Sequence, residues 1–183
     1  VKRLRPRWSD ADLKRIYARP HDHRRWRDHH LRIGVTTAVG TWMADQGLGS
    51  AADLSCGNGA VLNAVKATTK FYGDFAPGHT YTGPVEETVE QIPHVDLFIC
   101  CETLEHLDDP LAVLKQIRAK ASMILLSTPV ENWGDTNEEH YWAWSQEDVS
   151  GLLTQAGFEH WLYTDVDPRP HEGPYKYGIW GWR

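Results

Sequence analysis

Cysteine and methionine are scarce, with three and two among 183 residues. Cys56, Cys100 and Cys101 are odd in number and none stands at zinc-ligand spacing, which argues against a disulfide framework or a structural zinc and for buried, reduced thiols. No apolar run approaches the roughly 20 residues that span a bilayer. The opening Val1-Lys2-Arg3-Leu4-Arg5 leads into no apolar stretch of signal-peptide type, so a cytoplasmic protein with no membrane partner is expected. Internal repeats and low-complexity linkers are missing as well. What remains is ordinary: 41% hydrophobic and 24% charged residues in a length that suits one domain with a real core.

Charge is unevenly spread. Residues 1–32 hold 11 of the 19 lysines and arginines but 4 of the 25 acids, a balance of +7, which leaves −13 for residues 33–183. Such an arm either recruits an anionic substrate, nucleic acid included, or neutralises the acidic body on which it docks. The arm carries helix signals rather than a bare charge run. Ser9 with Asp12 resembles a capping box before Leu13, Ile16 and Tyr17, and Trp26, Ile33, Thr37 and Met43 mark a second helix ending around Gly47. Residues 1–47 are therefore read as a basic helical arm or lid, and 48–183 as the main domain.

Strand and helix signals alternate through that domain. Ala51-Ala52-Asp53-Leu54 reads as a buried strand, Ala60–Ala67 as a helix, Lys70–Asp74 as a second strand and Thr80–Gly83 as a weaker third. Val95–Cys101 is a fourth, Pro110 opens a helix through Leu111, Val113, Leu114 and Ile117, and Met123–Ser127 is a fifth strand ended by Pro129. Ser145 and Asp148 cap a helix that Gly157 stops, and Phe158–Val166 with Tyr175–Trp182 form a closing pair. Alternation of this kind predicts a doubly wound α/β sheet.

The first strand runs into Ser55-Cys56-Gly57-Asn58-Gly59, a turn whose glycines permit tight backbone angles and close approach of a ligand to the next helix. The third glycine of a Gly-x-Gly-x-x-Gly fingerprint is absent, because Leu62 stands in its place, which argues against an NAD-dependent dehydrogenase.

Four landmarks in order, Asp53–Gly59, Asp74, Leu104-Glu105-His106-Leu107 and Ser127-Thr128-Pro129, resemble the class I S-adenosylmethionine-dependent methyltransferases over about residues 45–183. The resemblance implies a Rossmann-like sheet of seven strands, mostly parallel with the last antiparallel, and S-adenosylmethionine as cofactor. It implies cofactor contacts by the turn residues Ser55, Cys56, Gly57, Asn58 and Gly59. Asp53 would orient the turn or meet the methionine amino group through water, Asp74 would take the ribose, Val85 the adenine and Cys101 the methionine portion. Ser55 replaces the family's usual first glycine, and Pro84 replaces the acid usual before Val85.

Glu102-Thr103-Leu104-Glu105-His106, with His140 ahead of Tyr141-Trp142-Ala143-Trp144, resembles a subgroup that includes ubiquinone-pathway O-methyltransferases and small-RNA 2'-O-methyltransferases. That resemblance implies a divalent cation, Mg²⁺ or Mn²⁺, on Glu102, Glu105, His106 and His140, with Glu105, His106 and His140 at the reacting hydroxyl. In metal-independent relatives the same His serves as a base or shapes the pocket. The residues after the fourth strand lack the Pro-Pro-aromatic and Pro-Cys motifs of DNA-base methyltransferases. A hydroxyl-bearing small molecule is the expected acceptor; a nucleic-acid terminus or nucleotide, reached through the basic arm, and a catalytically silent cofactor-binding module are the alternatives. His21, His23, His29 and His30, and the tryptophans Trp133, Trp142 and Trp144, are candidate substrate contacts, whereas Trp180 and Trp182 read as core.

Overall fold

The computed structural model describes residues 1–22, 27–169 and 172–183. Its elements run β1 (Lys2–Arg3), α1 (Asp10–Ile16), α2 (Arg27–Ala44), β2 (Ser50–Asp53), α3 (Ala60–Ala64), β3 (Thr69–Asp74), β4 (Tyr81–Thr82), α4 (Val85–Thr88), β5 (Val95–Cys101), α5 (Pro110–Lys120), β6 (Ala121–Val130), β7 (Trp142–Ala143), α6 (Gln146–Ala156), β8 (Leu162–Val166) and β9 (Lys176–Trp182). Seven strands form one sheet in the order β4-β3-β2-β5-β6-β9-β8, while β1 and β7 pair separately. The pairs from β4 across to β6 are parallel, and β9 lies antiparallel to both β6 and β8. This is the expected doubly wound, seven-stranded α/β architecture.

The central strands are apolar along their length because helices cover both faces. β5 has six of its seven residues buried. On one face Val113, Leu114 and Ile117 of α5 and Val149 and Leu153 of α6 pack on Phe98, Cys100, Ile124 and Leu126. On the other, Val39 and Met43 of α2 and Val61 and Leu62 of α3 pack on Ala51, Leu97, Ile99 and Leu125. Each such side chain, fully buried, contributes roughly 1.5–3 kcal/mol. The chain leaves β2 towards β3 and β4, then crosses back to β5 and β6. The crevice at that reversal, beyond the carboxyl ends of β2 and β5, is where open α/β sheets bind ligands.

Local signals explain most boundaries. Ser9 Oγ accepts from Asp12 N–H at the start of α1, and Ser145 with Asp148 forms a complete capping box on α6. Gly157 ends α6 in the left-handed region, at φ 96°. Differences have physical causes too. α3 stops at Ala64, three residues short of expectation, because Val65 turns extended and buries its side chain. β6 continues through Pro129: Ser127 C=O faces β5, where it accepts from Glu102 N–H, so by strand alternation the proline nitrogen faces the side that β5 has already left. β1, β7 and α4 were not anticipated, being only two to four residues long. Trp26 and His23 lie outside the described residues. The three cysteines are free and buried, and among the described residues no helix is long and apolar enough to cross a membrane.

Candidate active site

A cavity of about 920 Å³ opens at the crevice between β2 and β5. Its size lies within the roughly 300–1,000 Å³ typical of small-molecule sites. One end is lined by Leu54, Ser55, Asp74, Phe75, Val85 and Cys101. The other is lined by Glu102, Glu105, His106, Asn137, His140 and Tyr175. The sheet thus brings the landmarks after β2, β3 and β5 into one chamber with His140, far along the chain.

The turn after β2 is locked from beneath. Gly57 and Gly59 take left-handed angles, φ 52° and 75°, that bend the chain into α3. Asp74 fixes this bend: Oδ2 accepts Gly57 N–H at 2.7 Å and Oδ1 accepts Ala76 N–H at 2.9 Å. A carboxylate oxygen carries a second lone pair, so both remain able to accept from a vicinal diol in the cavity. Ser55 Oγ meets Thr103 Oγ1 at 2.6 Å, tying the two turns together. Asp53 lies under the turn, accepting Ser55 N–H at 3.1 Å, and burial pushes its carboxyl up to about 7. Cys56, Gly57, Asn58 and Gly59 shape the turn rather than line the cavity; Asn58 Oδ1 accepts Ala60 N–H at the start of α3, and the Cys56 Sγ sits 3.4 Å from His79 Nε2.

Glu105, His106 and His140 converge, each offering a ligand atom within 4.8 Å of the others. Glu105 is buried, with Oε2 accepting Thr128 Oγ1–H at 2.9 Å and Oε1 without a partner. His106 Nδ1 donates to the Glu139 carbonyl at 2.8 Å, which leaves a lone pair on Nε2, 3.8 Å from that Oε1. Burial holds the His106 imidazole down at about 3, so it is neutral near pH 7. His140 is the opposite case. Burial disfavours its charged form, but Asp135 Oδ2 at 2.7 Å from Nδ1 outweighs this and raises its pKa.

Glu102 stands beside this group and outside it. Its backbone is left-handed at φ 53°, a strained conformation for a residue with a side chain. Its Oε1 accepts Ser127 Oγ–H at 2.9 Å and lies 3.8 Å from Arg32 Nε, while burial pushes its carboxyl up to about 7.

Several contributors had not been singled out. Phe75 follows Asp74 into the cavity, and Tyr17 packs on it at 5.5 Å while its ring meets His106 edge-on. Arg32, buried in α2, had been read only as part of the arm's charge. Asp135 carried no motif, although an acid a few residues before a candidate His is the one available hint. His21 and His29 line the cavity, whereas His30 is exposed. None of Trp133, Trp142 and Trp144 lines it: Trp142 stacks on the core residue Trp144, and Trp133 is exposed. Trp180 and Trp182 are buried in the core.

No family model and no curated protein matches the sequence. Solved structures match over most of it. An S-adenosylmethionine-dependent methyltransferase from Leishmania major superposes with a TM-score of 0.67 at 12% identity, over 82% of this chain and 72% of its own. The chain has a methyltransferase fold. Magnesium protoporphyrin IX methyltransferase from Synechocystis, solved with bound S-adenosylhomocysteine, matches with a TM-score of 0.64 at 16% identity over 94% of both chains. The small RNA methyltransferase HEN1 matches with a TM-score of 0.61 at 14% identity, over the whole of this chain and 26% of its own.

Proposed function

We propose that this protein is an S-adenosylmethionine-dependent methyltransferase that methylates a hydroxyl of a small molecule with the help of a divalent cation. The observation that carries the reading is the shared chamber: a ribose-accepting carboxylate at one end and an unpartnered carboxylate oxygen facing an imidazole lone pair at the other.

The residues fit both groups. For the cofactor, Asp74 keeps lone pairs free for the ribose hydroxyls, Phe75 and Val85 give the adenine apolar walls, and Cys101 closes the methionine end. Asp53 lies beneath the turn, suited to a cationic amino group reached through water. For the cation, the lone pair of a neutral imidazole and an orphaned carboxylate oxygen supply two donor atoms that face each other. Glu105, His106 and His140 would hold the ion; Glu102 lines the same chamber but would have to turn from Ser127 to join them. A bound divalent ion lowers the pKa of a coordinated hydroxyl.

Methyl transfer to oxygen is an in-line displacement at a carbon already activated by the sulfonium, so positioning dominates. The turn and Asp74 hold the donor. Glu105, kept rigid by Thr128, is the group able to take the acceptor's proton, while the Nε2 lone pair of neutral His106 serves the ion. Residues 1–47 serve two purposes: Val39 and Met43 belong to the core, while Arg7, Leu13 and Tyr17 roof the cavity as a lid.

A nucleotide acceptor is the second reading, favoured by the match to a small RNA methyltransferase over the whole chain. Against it, four of the arm's cations are paired internally: Arg3 on Asp108, Arg7 on Asp10, Arg15 on Asp12 and Arg27 on Glu172. The test is calorimetric titration of S-adenosylhomocysteine with and without Mn²⁺, followed by methyl transfer to catechols, vicinal diols and RNA 3' ends. Micromolar binding with transfer to a catechol or diol is expected. Transfer to RNA alone selects the second reading, binding without any transfer makes the protein a silent cofactor-binding module, and absence of binding defeats all three.

A further inference from the structure

Asp135 lies on the loop between β6 and β7, five residues before His140, and its side chain is almost fully buried. Its carboxylate is held by donors from three places. Oδ2 accepts from His140 Nδ1 at 2.7 Å; Oδ1 accepts Asn137 N–H at 2.8 Å and the Tyr175 hydroxyl, just before β9, at 3.3 Å. A carboxylate without a proton can only accept, so this contact requires a hydrogen on His140 Nδ1, and in the neutral ring Nε2 is then the acceptor nitrogen. Nε2 has Asn137 Nδ2 at 3.2 Å.

The same loop is gripped by the first residues of the chain. β1 pairs with β7, Lys2 opposite Ala143 and Arg3 opposite Trp142. Leu4 N–H donates to the Tyr141 carbonyl at 2.8 Å, Trp8 N–H to the Tyr141 hydroxyl at 3.1 Å and Trp8 Nε1–H to the Glu138 carbonyl at 2.9 Å. Arg5 Nη2 reaches the backbone carbonyl of Asp135 itself at 2.5 Å. Contacts of this density around a short irregular loop serve to hold one side chain in place.

We propose that Asp135 is the positioning residue that fixes the tautomer and direction of His140, and that residues 4–8 form a strap holding the Asp135 loop against the site. The inference rests on the role proposed above for His140. A carboxylate on the far nitrogen of a ligating imidazole both orients the ring and raises its basicity.

The experiment uses the full chain labelled with ¹⁵N-histidine. Long-range ¹H–¹⁵N correlation reads the His140 tautomer, and calorimetry reads Mn²⁺ affinity, for the wild type and for Asp135→Asn, Asp135→Ala, Asp135→Glu and Trp8→Ala. In its neutral form, wild-type His140 is expected to show hydrogen on Nδ1 alone. Asp135→Ala is expected to lose that preference and to bind Mn²⁺ about 10–100-fold more weakly. The near-isosteric Asp135→Asn is expected to do the same in part while keeping its fold, Asp135→Glu to restore the Nδ1–H form, and Trp8→Ala to weaken Mn²⁺ binding while keeping the tautomer. An unchanged Nδ1–H tautomer in folded Asp135→Asn, or hydrogen on Nε2 in the wild type, overturns the assignment to Asp135. Unchanged Mn²⁺ affinity in Trp8→Ala overturns the strap. A wild type that binds no Mn²⁺ at all defeats the cation reading of the site, and the tautomer then decides on Asp135 alone.

Discussion

Asp53 makes the stability of this fold fall as pH rises through the mildly acidic range, in the same sense as buried Glu102, and Asp53→Asn is expected to remove the Asp53 share of that dependence. In the unfolded chain this carboxyl titrates near its ordinary 3.8, while in the fold burial, opposed by the Ser55 N–H bond, keeps it protonated up to about 7. Between those values the folded state binds the extra proton, so each unit of rising pH favours unfolding by about 1.4 kcal/mol. Integrated from pH 4.5 to 7, the loss is about 3 kcal/mol, and above 7 it grows little more because both states are then ionised. Asparagine retains an oxygen for Ser55 N–H and cannot ionise. Urea unfolding of both proteins at half-unit steps from pH 4.5 to 7.5 measures the difference directly, since other titrating groups are common to both. The variant's advantage should grow by about 3 kcal/mol across that range. A wild-type-to-variant difference that stays constant with pH would refute the reasoning, because it would mean Asp53 is ionised in the fold at its ordinary pKa.

Three further outcomes are expected. Gly178→Ala places a Cβ 2.3 Å from the indole of Trp180, a buried ring bonded to Ser150 Oγ, so it should cost about 1–3 kcal/mol or more and lower the melting temperature by several degrees in calorimetry. Arg32→Ala strips buried Glu102 of its guanidinium neighbour and leaves a void under Tyr177, which should cost about 3–5 kcal/mol in urea unfolding; a near-neutral result would show that the pair contributes nothing to the core. Asp74→Ala removes the acceptor of Gly57 N–H and Ala76 N–H, and should weaken S-adenosylhomocysteine binding by about tenfold or more in calorimetry, with affinity unchanged if the ribose is held elsewhere.

The sheet was legible because its signals are local. Ala51-Ala52, Val95–Cys101 and the Ser145–Asp148 box each declare an element without reference to the rest of the chain. The glycine turn, Asp74 and the Glu102–His106 stretch could be placed on one rim because strand ends in a doubly wound sheet share one side. Two-residue strands could not be read: Arg3 opposite Trp142 depends on a pairing that neither segment's composition announces. Arg32 and Asp135 were hidden for another reason. A charged residue is read as solvated unless its partner is known, and the partners here, Glu102 and His140, lie far apart in sequence or belong to a loop with no periodicity. The three tryptophans near His140 could not be assigned because aromatic content alone does not separate a pocket wall from a core; Trp144, fully buried with Nε1 bonded to the Pro129 carbonyl, is core.

The pairing of β1 with β7 also sets an order of assembly. Residues 2–8 are synthesised before their partners at 138–143, which follow roughly 140 residues later, a wait of about 7–28 s at common synthesis rates. Over that interval the α/β layers can form around β2, β3 and β5 while the first strand has no edge to join. The chamber is completed later still, when β9 enters the sheet and the Tyr177 hydroxyl donates to Asp28, a contact between residues 149 apart.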